Sequence, residues 1–143
     1  MFDCVGDVHG CDRELVLLLG KLGYVRGGFP AFVTENEKSP KELFSHPAGR
    51  KVVFCGDMND RGPNSAACLM VAMTMCNEGQ ALAVAGNHDD KLRRYLEGNK
   101  VTAGHGLQET INQLDTCHPD VKASFLTWLK SLPYELILDD DKL

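Results

Sequence analysis

The chain has 143 residues, 43% of them hydrophobic and 24% charged, and a formal net charge of −5. That fits one domain, and a chain of this length buries roughly 68–70% of its unfolded surface, enough for a core without staples. With no basic block and no apolar run near the roughly 18–20 residues of a bilayer span, broad nucleic-acid binding and membrane insertion lose their footing.

Phe2 to Val5 reads as a short buried strand that stops at Gly6. Leu15, Leu18, Leu19 and Leu22 then recur at helical spacing, with Asp12 as N-cap and Gly23 as stop. Residues 24–50 carry Gly27, Gly28, Pro30, Pro40, Pro47 and Gly49 and read as an insertion loop, with room for a hairpin and a short strand at Ala31 to Thr34. Lys51 to Cys55 is the second main strand. Pro63-Asn64-Ser65 opens a helix that turns Leu69, Met70, Met73 and Cys76 inward and ends at Gly79. Gln80 to Ala85 is the third strand. Asp89 or Asp90 starts a short basic helix, Lys91 to Leu96, whose Lys91, Arg93 and Arg94 form a solvated face. Helices over Leu107 to Leu114 and Pro119 to Leu132 follow, and Tyr134 to Leu138 reads as a fourth strand.

Six cysteines lie at 4, 11, 55, 68, 76 and 117, with no CxxC, so they read as buried free thiols of a reducing compartment. Asp3 and Asp7 interrupt the N-terminus before a signal peptide could form, and the expected location is the cytoplasm.

Alternating strands and helices imply an α/β domain with a mostly parallel sheet and flanking helices. Ligands of such sheets gather beyond the carboxyl ends of the strands. Three turns at that edge are rich in chemistry: "GDVHG" after the first strand, "GDMNDRG" after the second and "GNHDD" after the third. Asp7 and His9 are two apart, so extended backbone would point both to one face. A carboxylate beside an imidazole suits Mn²⁺, Fe or Zn²⁺. Asp57 can stand next to Asp7, and divalent cations would turn the repulsion of the two acids into attraction. Arg61 has the fork that grips phosphate oxygens, although alone it reads as a salt bridge to Asp60. Asn87 offers a carbonyl oxygen, and His88 a proton for a leaving alkoxide. Asp89 reads as a helix cap.

GDxHG, GDxxDRG and GNH in this order resemble the signature of the calcineurin-like metallophosphoesterases, phosphoprotein-phosphatase branch. The resemblance runs over nearly the whole sequence. "GCDRELVLLLGKLGY", "HPAGRKVVFCGD" and "NHDDKLRRYLEGNKVTAGHGLQET" are most similar to two bacterial groups, the PrpE-type bis(5′-nucleosyl)-tetraphosphatases and the phosphatase domain of polynucleotide kinase-phosphatases. The resemblance implies the N-terminal part of an α/β/β/α sandwich and two divalent ions, Mn²⁺ first among them. Asp7, His9 and Asp57 would bind one ion, with Asp57 bridging to a second held by Asn87. His88 would be the general acid oriented by Asp60, and Arg61 would grip the substrate phosphate, with Asn87 beside it. The implied substrate is a small phosphorylated molecule, a nucleotide such as a dinucleoside tetraphosphate, with phosphoprotein as the alternative. No protein partner is legible.

Two departures stand out. Asn59 replaces a usual aliphatic residue. The family's second metal also takes two later histidines, and the sequence ends at "YELILDDDKL" before that turn. The second site is therefore expected to be incomplete and the protein to be truncated on its C-terminal side, which keeps a non-catalytic metal- or anion-binding remnant in play. His46, His105 and His118 are not expected to substitute. A P-loop or Rossmann module is excluded by the absence of GxxxxGK and GxGxxG.

Overall fold

Three short apolar runs, β1 (Phe2–Val5), β4 (Lys51–Phe54) and β5 (Ala81–Ala83), form a parallel sheet in the order β1-β4-β5. This is a computed structural model, and it describes residues 1–27 and 43–138. The pairing sets Cys4 against Val53 and Val5 against Phe54, so the β1 and β4 strands end level with each other. The connections are helical: α1 (Asp12–Lys21) leaves β1, and α2 (Ser65–Asn77) joins β4 to β5. Then come α3 (Asn87–Leu96), α4 (Leu107–Asp115) and α5 (Pro119–Ser131). β2 (Val25–Gly27) and β3 (Leu43–Ser45) pair antiparallel, as the hairpin reading of the insertion anticipates. The strand expected at Ala31 to Thr34 lies outside the described residues.

Asp3, Val5, Val52, Phe54, Ala81 and Ala83 are buried, and the core continues through Leu15 and Leu19 of α1 and Leu69, Ala72 and Met75 of α2. The inward face of α2 is wider than expected, with Cys68, Val71 and Thr74 also buried, while Met70 and Cys76 are only half-buried. The reason is its central position: α2 packs on β5, β3, α1, α4 and α5, and a helix covered on several sides is apolar most of the way round. Asn64 caps it by accepting the Ala67 N–H at 3.2 Å.

Several local readings need correction. Cys11, not Asp12, takes the N-cap position of α1, and Leu18 faces outward. α3 starts at Asn87, two residues before the acids, because the Asp89 carboxylate reaches back to the Gly86 N–H at 2.9 Å. Tyr134 to Leu138 is not a strand. Pro133 accepts the Ala85 N–H at 2.8 Å, and then the segment leaves the sheet with Tyr134 69% and Ile137 88% exposed. β-propensity makes a strand only where a neighbour supplies its ladder. Cys4 and Cys55 are exposed rather than buried, since alternation turns Cys4 away from the face on which Asp3 and Val5 are buried, while Cys68 is buried as expected. Among the described residues, no helix is long and apolar enough to cross a membrane.

Candidate metal centre and acid–base pair

Each main strand runs on into a glycine turn, at Gly6, Gly56 and Gly86, and the pairing of the strands brings the turns together. The first two are stitched by backbone bonds: His9 N–H to Asp57 C=O at 2.9 Å, Gly10 N–H to Met58 C=O at 3.0 Å and Gly62 N–H to His9 C=O at 2.8 Å. The third turn joins through the Asp57 carboxylate, which accepts the His88 N–H at 3.0 Å. This closeness requires glycine at two places. A side chain on Gly62 would strike the His9 carbonyl, and one on Gly86 would strike the carboxylate and amide of Asp57.

Asp7, His9, Asp57, Asp60 and Arg61 all have positive φ, between 45° and 71°. Non-glycine residues rarely occupy this region, and strain of this kind collects at functional sites. Extended backbone is therefore not what brings Asp7 and His9 together. Each sits in a left-handed turn beyond the end of β1, and Asp7 Oδ1 still comes within 3.6 Å of His9 Nε2.

His9, Asp57 and His88 each offer a ligand atom within 4.8 Å of the others. His9 fits a metal-binding role on its own geometry. Its Nδ1 donates to the Asn59 carbonyl at 3.0 Å, which leaves the Nε2 lone pair directed at Asp7. Metal-binding histidines are ordinarily fixed in this way, through the other ring nitrogen. The Asp7 side chain is 83% exposed and stands at the open side of this group. Asn87 is exposed at the first position of α3.

His88 sits 4.8 Å from His9, ring centroid to centroid and edge to face, but both of its nitrogens are engaged. Nδ1 donates to Asp60 Oδ2 at 2.7 Å, and Nε2 accepts from Arg61 Nη2 at 3.2 Å. That favours a proton-handling role over ligation. Asp60 is fully buried and saturated. Its Oδ1 accepts from Asn59 Nδ2 at 2.8 Å and from Thr110 Oγ1 at 2.7 Å, and its own N–H donates to Ser65 Oγ at 2.9 Å. Donors of this number offset the cost of burying a carboxylate. Arg61 therefore does not form the salt bridge to Asp60 that its sequence neighbourhood suggested.

Four supporting residues escaped the sequence reading. Asn59 is fully buried: its amide serves Asp60, its carbonyl serves His9, and its side-chain oxygen has no partner among the described residues. An aliphatic residue there could not donate to Asp60. Ser65 and Thr110 carried no local signal, and Thr110 comes from 50 residues further along the sequence. Asp89 was read as a cap, and it does cap, but it also accepts the N–H groups of Asp57 at 2.6 Å and Met58 at 3.1 Å. Burial pushes its carboxyl up to about 6, while those N–H bonds and that of Gly86 pull the other way. His105, His46 and His118 are not part of the group formed by His9, Asp57 and His88.

The family model described as calcineurin-like phosphoesterase matches residues 1–136. A bis(5′-nucleosyl)-tetraphosphatase PrpE of Anoxybacillus flavithermus is 36% identical over 147 residues, covering 100% of this chain and 55% of that protein. The protein of the same name from Bacillus subtilis is 35% identical over 99% of this chain and 54% of its own length. The chain thus spans about half the length of these curated relatives. A solved structure provisionally described as a diadenosine tetraphosphatase superposes with a TM-score of 0.55 at 23% identity, over 92% of this chain and 42% of that one, a likeness of fold.

Proposed function

Because the chain belongs to the calcineurin-like phosphoesterase family, we propose that it hydrolyses phosphate esters or anhydrides with two divalent ions, and that its substrates are nucleotides such as dinucleoside tetraphosphates. The observation that carries this reading is the line Asp60–His88–Arg61 lying directly beside His9 and Asp57. Asp7, His9 and Asp57 would hold one ion, and Asp57 with Asn87 a second, with Mn²⁺ the first candidate and Fe or Zn²⁺ compatible with the donors. Bound there, such ions supply Lewis acidity and bring a water's pKa from 15.7 towards ~7.

The protein's own part follows from the geometry. Asp60 holds Nδ1–H of His88, so Nε2, which bears no proton while it accepts from Arg61, would take one up from solvent once released and pass it to the leaving oxygen, the buried carboxylate stabilising the charged ring meanwhile. Arg61 rests on that same Nε2, and when a phosphate enters, its fork swings to the phosphate oxygens and frees the nitrogen. The nucleotide preference rests on the names of the relatives, and the cytoplasmic location on the thiol content.

The purified protein with Mn²⁺ is expected to hydrolyse diadenosine tetraphosphate and p-nitrophenyl phosphate, and Asp57→Asn to abolish both activities. An unchanged rate in that variant would overturn the assignment. A second reading, a non-catalytic metal- or anion-binding protein, is favoured by one observation: among the described residues a single group of histidine and acid ligand atoms comes together, that of His9, Asp57 and His88. Calorimetric titration separates the two, since the catalytic reading requires two Mn²⁺ per molecule and the other requires one.

A further inference from the structure

The basic face of α3, read from sequence as merely solvated, borders a cavity of about 490 Å³ that begins at Asn87 and is lined by Lys91, Arg94, Lys100 and Thr102. We propose that this cavity is a subsite for the extended phosphates of a polyphosphate substrate, holding those beyond the one that reacts. The inference rests on the reading of Asn87 as part of the metal centre.

Three cations in one cavity stand out in a protein with 15 Lys and Arg against 20 Asp and Glu. Their charge exceeds that of the acid beside them. Asp90, the one acid lining the cavity among the described residues, accepts from Arg93 at 3.1 and 2.6 Å and from the Tyr134 hydroxyl at 2.9 Å, all on Oδ1, and its charge also acts on Arg94, so one acid stands against three cations on the wall. Lys91 gives one bond to the Gly104 carbonyl at 3.1 Å, and an ammonium has two more to give. Arg94 and Lys100 are exposed, and neither has a hydrogen-bonded acid among the described residues.

The position of the cavity selects the ligand class. Arg61, 3.2 Å from His88 Nε2, is the cation already proposed for the reacting phosphate. A substrate with a single phosphate leaves nothing for a second cationic cluster to neutralise. A run of linked phosphates carries negative charge away from the reacting phosphorus, and Asn87, the residue proposed for the second ion, is itself part of the cavity lining. Arg forks and Lys point charges are the side chains suited to it.

The test compares inorganic tripolyphosphate with orthophosphate by calorimetry, Mn²⁺ in excess, on the whole protein and on the double variant Arg94→Glu/Lys100→Glu. The Arg94→Gln/Lys100→Gln variant serves as a second probe that reverses no charge. The parent protein is expected to bind tripolyphosphate ~10-fold or more tighter than orthophosphate, as charged hydrogen bonds lost from both side chains would allow, and both variants to erase most of that margin. A margin that persists in the variants, or is absent from the parent, overturns the proposal. So does an equal loss of affinity for a 5′-phosphorylated oligonucleotide, which would make the cavity a nucleic-acid contact. Turnover of p-nitrophenyl phosphate reads the metal centre separately. Its absence, with the tripolyphosphate margin intact, counts against the phosphoesterase reading and leaves the subsite standing.

Discussion

Asp60 and Asp7 are both aspartates with positive φ on turns that leave a strand, yet their surroundings are opposite. Asp60 is fully buried, and Asn59, Thr110 and His88 all donate to its carboxylate. Asp7 keeps 83% of its side chain in solvent and comes within 3.6 Å of His9. The half proposed to move a proton is thus assembled by the described residues alone, with both oxygens of Asp60 hydrogen-bonded. The half proposed to bind metal keeps lone pairs free, on His9 Nε2 and on the Asp7 carboxylate. Asp60, a charge to be kept in place, is surrounded with donors, whereas Asp7 is left open to a cation; Asp57 lies between the two cases, accepting the His88 N–H at 3.0 Å.

That contrast can be broken at Asp60. Asp60→Asn removes the carboxylate proposed to stabilise a protonated His88, and kcat is expected to fall ~10²–10⁴-fold on an alkyl phosphate, the range of a general acid. The loss should be smaller on p-nitrophenyl phosphate, whose leaving group needs little protonation, while Mn²⁺ stoichiometry stays at the parent value. Equal losses on both substrates would mean that Asp60 acts on something other than the proton.

The other half is broken at Gly86. Gly86→Ala drives a methyl group into the Asp57 carboxylate and amide, an overpacking that costs ~1–3 kcal/mol and moves a proposed ligand. Thermal unfolding should shift down and Mn²⁺ affinity should drop together. A variant that melts lower but binds Mn²⁺ as before would uncouple the turn from the metal centre.

A finer cut is Thr110→Val, which keeps the shape and removes one donor from Asp60 Oδ1 while Asn59 remains. Loss of a hydrogen bond to a buried charge predicts ~1–3 kcal/mol of stability, measured by urea unfolding. No change would show that Asn59 suffices.

Much of this site can be read along the sequence, because its residues are local to three strand ends. Asp7 and His9, Asp57 to Arg61, and Asn87 with His88 each lie just past an apolar run, and composition marks the switch. What holds them is not legible in the same way. Thr110 and Ser65 are ordinary helix residues in sequence, and only the packing of α4 against α2 brings them to Asp60. Asn59 reads as a departure until its amide is seen facing a buried carboxylate. Tyr134 to Leu138 shows the converse: strand-like residues make no strand without a neighbour to pair with.

The order of strands and helices and the chemistry of each turn are therefore written in the residues themselves, since periodicity, glycines and charges act over a few positions. Folding settles the rest: which turns meet, the left-handed geometry that aims their side chains, the donors that fix Asp60 and the carbonyl acceptor that fixes His9. Those depend on contacts between residues as far apart as 50 positions, whose energies come from burial and from hydrogen bonds that exist only once the parallel sheet has closed.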